Sequence, residues 1–192
     1  MPLMQADRRF DLEPLAIRGV MAVRRRSFGD ARGSLTRIFC TEELAAAGWR
    51  WPVAQVNHSV TAMAGTVRGM HYQAPPWTEA KLVTCLRGRA WDVALDLRAG
   101  SPTFLRYCAQ ELSCENGIAL LIPPGCAHGF QALTDEVELL YLHSVAYAAS
   151  HDRGINPQDP RCAIAWPMPV AMLSPKDRSR PMLGPDFGGI TP

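Results

Sequence analysis

Only two of the 20 basic side chains are lysines, Lys81 and Lys176; the other 18 are arginines. Against 18 acidic residues they leave a formal charge of +2. A chain so close to neutral lacks the surplus that neutralises a phosphate backbone, which sets nucleic acid aside as its partner. The six cysteines (Cys40, Cys85, Cys108, Cys114, Cys126 and Cys162) include no C-x-x-C pair. That excludes a zinc knuckle and reads as reduced thiols of a cytoplasmic protein, not a disulfide frame. No stretch approaches the roughly 18 apolar residues of a membrane span, and MPLMQADRRFDLEPL has no apolar core of a signal peptide, so no membrane association is expected. Long helical periods are missing too, which disfavours a parallel sheet built from βαβ units.

What remains is a length of 192 residues, suited to one domain, with a globular balance of 47% apolar and 20% charged residues. One short helix is expected, with Thr41 as N-cap, EELAAA as its body and Gly48 as its stop. Otherwise the chain reads as short strands between Gly, Pro and polar turns: residues 16–23, SLTRIF, PVAQVNHSV, KLVTCL, AWDVALDL, TFLRYCAQEL, IALLI, GFQALT and VELLYLHSV. Many strands at even spacing imply a mainly β sandwich or barrel. Residues 1–14 read as a loose polar arm and about 16–166 as the barrel. Half of the 16 prolines fall from Pro157 onward, so about 167–192 reads as a proline-rich C-terminal wrap within a single domain of residues 1–192.

Two runs carry candidate chemistry. GIALLIPPGCAH places Gly117, Pro123, Gly125 and His128 as a buried strand, a tight Pro-Pro-Gly turn and a second strand bearing a histidine. GTVRGMHYQAPPWTEAKLVTCLRG holds Arg68, His71, Gln73, Glu79 and Lys81. Two histidines on converging strands beside Arg68 and Lys81 are costly to bury without a polar ligand. A lysine flanked by apolar strand residues is rarely turned inward without a partner.

The two runs together resemble the paired motifs of the cupin superfamily, which implies a double-stranded β-helix, or jelly-roll barrel, with one or a few short helices and a ligand cavity. Many cupins bind a metal through an H-x-H pair, a glutamate and a later histidine. Here Gln73 replaces the second histidine, and an amide oxygen is the weaker donor. A metal site is not expected, although His71, His128 and Glu79 could still form a facial set. A finer resemblance covers about residues 16–178. RGMHYQ, the following Lys81-Leu-Val, WDVALDLR, GSPTF, LLIPPGCAHGF, the pattern around Trp166 and LSPKD are similar to sugar-nucleotide epimerases typified by dTDP-4-dehydrorhamnose 3,5-epimerase.

That resemblance implies an isomerase that inverts C3 and/or C5 of a nucleoside-diphosphate-4-keto-6-deoxyhexose for deoxysugar biosynthesis. The protons alpha to the ketone are removed and returned on the other face, with no cofactor. It implies His71 as base, Asp177 of LSPKD as the carboxylate pairing with it, Tyr141 of ELLYLH as opposing acid and Lys81 as stabiliser of the enolate. It also implies that His128 and Arg68 line the cavity and that Asp92 orients His71 or its neighbours. Gln73 and Lys176 are placed at the substrate, Gln55 and Asn57 at the nucleotide, and Arg32 of FGDARG at the diphosphate, often across the interface of a homodimer. Two positions depart from the family pattern. Arg37 stands where a glutamate normally meets thymidine, reversing the charge, and Asp152 stands where a glutamate is usual. A CDP-, GDP- or UDP-linked sugar is therefore the alternative substrate. A metal-dependent cupin dioxygenase or isomerase and a non-catalytic sugar-nucleotide-binding cupin are the alternative functions.

Overall fold

IALLI is buried at all five positions because its strand lies mid-sheet with both faces covered. The computed structural model describes residues 9–192. In chain order the strands are β1 (Phe10–Pro14), β2 (Met21–Arg25), β3 (Ser27–Asp30), β4 (Gly33–Thr36), β5 (Gln55–Thr61), β6 (Val67–Gln73), β7 (Lys81–Arg87), β8 (Arg89–Asp96), β9 (Tyr107–Ser113), β10 (Ile118–Ile122), β11 (Cys126–Ala132), β12 (Val137–His143) and β13 (Asp152–Gly154). Two short helices, α1 (Thr41–Leu44) and α2 (Pro175–Arg178), accompany them. A six-stranded sheet runs β1-β2-β10-β7-β12-β5 and a five-stranded sheet β13-β6-β11-β8-β9, while β3 and β4 form a separate hairpin. Every strand pairing is antiparallel. The expected mainly β jelly-roll architecture is what the chain adopts.

Side-chain alternation builds three apolar layers. Val83, Cys85, Ala90, Ala94, Leu120, Phe130 and Leu139 fill the space between the sheets. On the outside of the six-stranded sheet, Ala119, Leu121 and Leu82 pack under Leu44, Ala47 and Trp49 from the α1 segment. On the outside of the five-stranded sheet, Val93, Leu95 and Ala127 are covered by Ile155, Cys162, Trp166, Phe187 and Ile190. The proline-rich tail therefore wraps the second sheet, held by parallel bridges Thr66↔Met172 and Arg98↔Ile190. Gln131 fixes it further, donating to the Met168 carbonyl at 2.9 Å and accepting from the Met168 amide at 3.0 Å.

Some boundaries differ from expectation. Phe10–Pro14 is an edge strand paired with β2, not loose arm, because buried Phe10 anchors it over Val23 and Leu121; residues 1–8 lie outside the described residues. The strand expected over 16–23 begins at Met21, since Ile17 and Val20 bury themselves in a turn with Gly19 at φ +87°. Cys40, not Thr41, is the N-cap of α1, and Ala45–Ala47 tighten to a 3₁₀ turn that Gly48 ends at φ +98°. β6, expected only as one of two converging strands that carry histidines, bears most directly on the site.

A bulge in β6 orients the site. Arg68 pairs with Phe130 and His71 with His128, so three steps on β6 match two on β11. In a regular strand, residues three apart face opposite ways; the extra residue brings Arg68 to the His71 face. Gly69 makes this close approach, at φ +128°, where an added Cβ would lie 2.6 Å from Gly129 Cα and 2.9 Å from the His128 carbonyl oxygen. Gly69→Ala is expected to lose about 2 kcal/mol or more of stability. Urea unfolding should show it as a lower midpoint, and an unchanged midpoint would contradict the geometry.

Candidate active site

On the six-stranded sheet, register aligns two inward rows. His143 of β12 lies opposite both Gln55 of β5 and Lys81 of β7, and Tyr141 lies opposite Asn57 and Val83. Directly opposed residues share a face. Tyr141 places its hydroxyl 3.1 Å from Ser59 Oγ. Burial pushes its phenol well above the ordinary value, only partly countered by the Ser59 hydrogen bond. Its hydroxyl is therefore held in the neutral form at ordinary pH.

Lys81 is buried and its Nζ pairs with Glu79 Oε1. Burial opposes ionisation of Glu79, yet Lys81 and His143 outweigh it and hold the carboxyl down at about 2. Remote from the cavity centre, Asp96 is also buried but accepts from Arg98, Ser101 and Thr103, and is held at about 2. Ordinary values for these groups are 4.5 and 3.8. Their stabilising effect is complete above pH 4.5 and is lost as pH falls toward 2. Melting temperature followed by circular dichroism is expected to fall across that window; no fall by about pH 3 would contradict it.

On the facing sheet, β6 and β11 place His71 beside His128. His71 Nε2 lies 2.5 Å from Asp177 Oδ1. Asp177 arrives from the tail because Ser174-Pro175 starts α2: Ser174 caps it, accepting from the Asp177 amide at 3.0 Å, with Pro175 in the first turn. Burial raises the Asp177 carboxyl, but the hydrogen bond and charge of His71 and the Gly69 amide outweigh it, so it sits below its ordinary value. An ionised carboxylate only accepts, so the proton of this hydrogen bond sits on His71 Nε2. His128 Nε2 lies 2.7 Å from Asp92 Oδ1. Burial pushes Asp92 up, and the charges of His128 and Lys81 only partly offset that.

Between the sheets is a cavity of about 500 Å³. The structure brings His71, Lys81, Tyr141, Asp177, Gln55, Asn57, Arg68, Gln73, His128, Asp152 and Lys176 to its wall. Arg32 and Arg37 are not on it. Arg32 stands at the tip of the β3–β4 hairpin, paired with Asp30 at 2.6 Å. Arg37 is held by Glu43 at 2.5 Å, which neutralises the charge reversal noted in the sequence. Asp92 orients His128 rather than His71, because β8 pairs with β11 and not with β6. Gln73 is turned to protein rather than left open: it donates to Glu79 at 2.8 Å and accepts from the Ala148 amide at 2.6 Å. Asp152 pairs with Lys176 at 2.6 Å and Arg180 at 2.8 Å. The donors weighed for a metal turn to these separate partners, and among the described residues no group of three His, Cys, Asp or Glu is arranged to hold an ion.

Sequence reasoning missed Ser59, His143, Tyr147 and Arg180. His143 was findable, since it stands two residues from Tyr141 on a strand and so shares its face. Arg180 and Tyr147 lie in loops that no periodicity marks.

Comparison with known proteins agrees with this fold. The family model described as dTDP-4-dehydrorhamnose 3,5-epimerase matches residues 14–184. The chain belongs to that family. A dTDP-4-dehydrorhamnose 3,5-epimerase of Sinorhizobium fredii is 42% identical over 176 residues, covering 89% of this chain and 88% of the relative. Among solved structures, the dTDP-4-dehydrorhamnose 3,5-epimerase of Bacillus anthracis with TDP and PPi bound has a TM-score of 0.87 at 36% identity, covering 91% of this chain and 99% of that one. A dTDP-6-deoxy-D-glucose-3,5-epimerase of Legionella pneumophila in complex with dTDP-4-keto-L-rhamnose has a TM-score of 0.85 at 34% identity, covering 90% and 92%. As a member of the dTDP-4-dehydrorhamnose 3,5-epimerase family, the chain is an isomerase acting on sugar nucleotides.

Proposed function

We propose that this epimerase inverts C3 and/or C5 of a dTDP-linked 4-keto-6-deoxyhexose, with His71 as base and Tyr141 as acid. The observation that carries this reading is their placement on opposite sheets, His71 on β6 and Tyr141 on β12, across one cavity. A sugar ring held between them presents one face to each. His71 Nδ1 takes the proton alpha to the ketone while Asp177 stabilises the imidazolium. The electrons pass to the ketone oxygen, where the Lys81 ammonium meets the enolate charge. Tyr141 then delivers its proton to the other face, and inversion is complete. Arg68 and Lys176 offer positive charge to the diphosphate.

The thymidine reading is supported by the dTDP ligands named for relatives and by the neutralised Arg37. A homodimer is the proposed assembly, working in the cytoplasm. Its support is that Arg32 lies away from its own cavity on a hairpin exposing Phe28 and Leu35, and that edge strand β5 exposes Val56 and Val60. Light scattering tests the assembly.

The function is tested by solvent deuterium exchange. Label should enter C3 or C5 of a dTDP-linked 4-keto-6-deoxyhexose in the presence of the protein, and the position labelled identifies the centre. Running the same assay with CDP-, GDP- and UDP-linked sugars compares the bases. Absence of exchange with all of them would overturn the reading.

A further inference from the structure

We infer that Glu79 is a positioning residue of this epimerase, anchoring the Lys81 ammonium and the His143 imidazole on one carboxylate. The inference rests on the function proposed above and adds to it a residue that touches no reacting atom. Glu79 lies in the turn before β7, two residues from Lys81, and is buried. Its Oε1 pairs with Lys81 Nζ, and its Oε2 stands 3.4 Å from His143 Nδ1. The same Oε2 accepts from Gln73 Nε2 at 2.8 Å. Gln73 is itself fixed by the Ala148 amide, so the carboxylate has no freedom to swing away.

His143 in turn stacks on Tyr141, with ring centroids 6.2 Å apart and planes inclined by 22°. One anion therefore ties the cation proposed for the enolate to the ring beside the proposed acid. A lysine ammonium is a point charge on a flexible stem, and without an anchor it would sample several rotamers in a cavity of this size. Glu79 reduces that freedom and keeps the buried charge compensated, so the ammonium is in place before the enolate forms. The other ionisable groups facing Lys81 and Glu79 are Asp92 on β8, Cys126 and His128 on β11, and Tyr141 on β12. Asp92 accepts the His128 hydrogen bond and leaves Glu79 as the ion-pair partner of Lys81.

The test compares wild type, Glu79→Gln and Glu79→Asp by deuterium exchange into a dTDP-linked 4-keto-6-deoxyhexose, with kcat and KM measured across pH. Glu79→Gln keeps the shape and removes the charge. Its kcat is expected to fall about tenfold or more with KM within about twofold. Its activity is expected to be lost at lower pH on the alkaline side than in wild type, because a buried ammonium without its counter-ion releases its proton more readily. Glu79→Asp restores the charge and is expected to recover the alkaline limb and part of kcat. Wild-type kcat and pH profile in Glu79→Gln would overturn the inference while leaving the functional reading intact. No exchange by the wild-type protein would overturn both. If Glu79→Gln does not fold, Glu79→Asp decides: a lowered kcat at unchanged KM supports the anchor, and wild-type kcat overturns it.

Discussion

His71→Ala is expected to slow deuterium entry at C3 and C5 by about 10²–10⁴-fold, the usual contribution of a positioned base. Binding should change little, since the groups proposed to hold the diphosphate end, Arg68 and Lys176, remain. The loss should therefore appear in kcat with KM nearly constant. The alanine variant also leaves Asp177, a buried carboxylate, without its main partner, so some stability will go with it. His71→Gln separates the two effects. Its amide nitrogen falls near the position of Nε2 and still donates to Asp177, but it offers no basic nitrogen to the substrate. A glutamine variant that melts like wild type yet shows no exchange would assign the loss to chemistry. Wild-type exchange in either variant would remove His71 from its role.

Tyr141→Phe has the second large effect, and its signature is different. The phenol is the proposed proton source on the far face, while His71 on the near face is untouched. Abstraction and return by His71 should continue, so label enters with the original configuration while inversion falls by about 10²–10⁴-fold. Following label by mass and configuration by NMR on the same sample distinguishes exchange from epimerisation. Equal loss of both would mean that the tyrosine acts in abstraction as well. Inversion at the wild-type rate would dismiss it as the acid. The variant removes one hydroxyl, whose partner Ser59 is the group to watch for a compensating water.

Most of the site was readable in the chain because strand and turn signals are local. The Pro-Pro-Gly turn before β11 and the run leading to His71 announce two strands that carry histidines, and the similarity of these runs to known epimerases identified the partners. Asp177 was different. As one aspartate in a polar tail it carries no spacing signal, and it reaches His71 only because Ser174 caps α2 and the tail wraps the second sheet. Arg68 is a further case. Period-two alternation would point it away from His71, and the bulge at Gly69 reverses that.

Two lysines among so many arginines were conspicuous in the sequence, and so was the absence of a metal-type second histidine at Gln73. The sequence alone determined the mainly β architecture, from local strand and turn pattern, and the family, from the resemblance of its motifs; the proposed base, acid and enolate cation were carried by the same resemblance. Only the tertiary structure decided the other pairings: Asp92 with His128, Glu79 with Lys81 and Glu43 with Arg37. The reason is physical. Which polar groups come within a few ångströms is set by sheet register and by the side-chain directions of neighbouring loops, which local pattern does not encode, and a buried charge such as Lys81 needs an opposite charge at that distance.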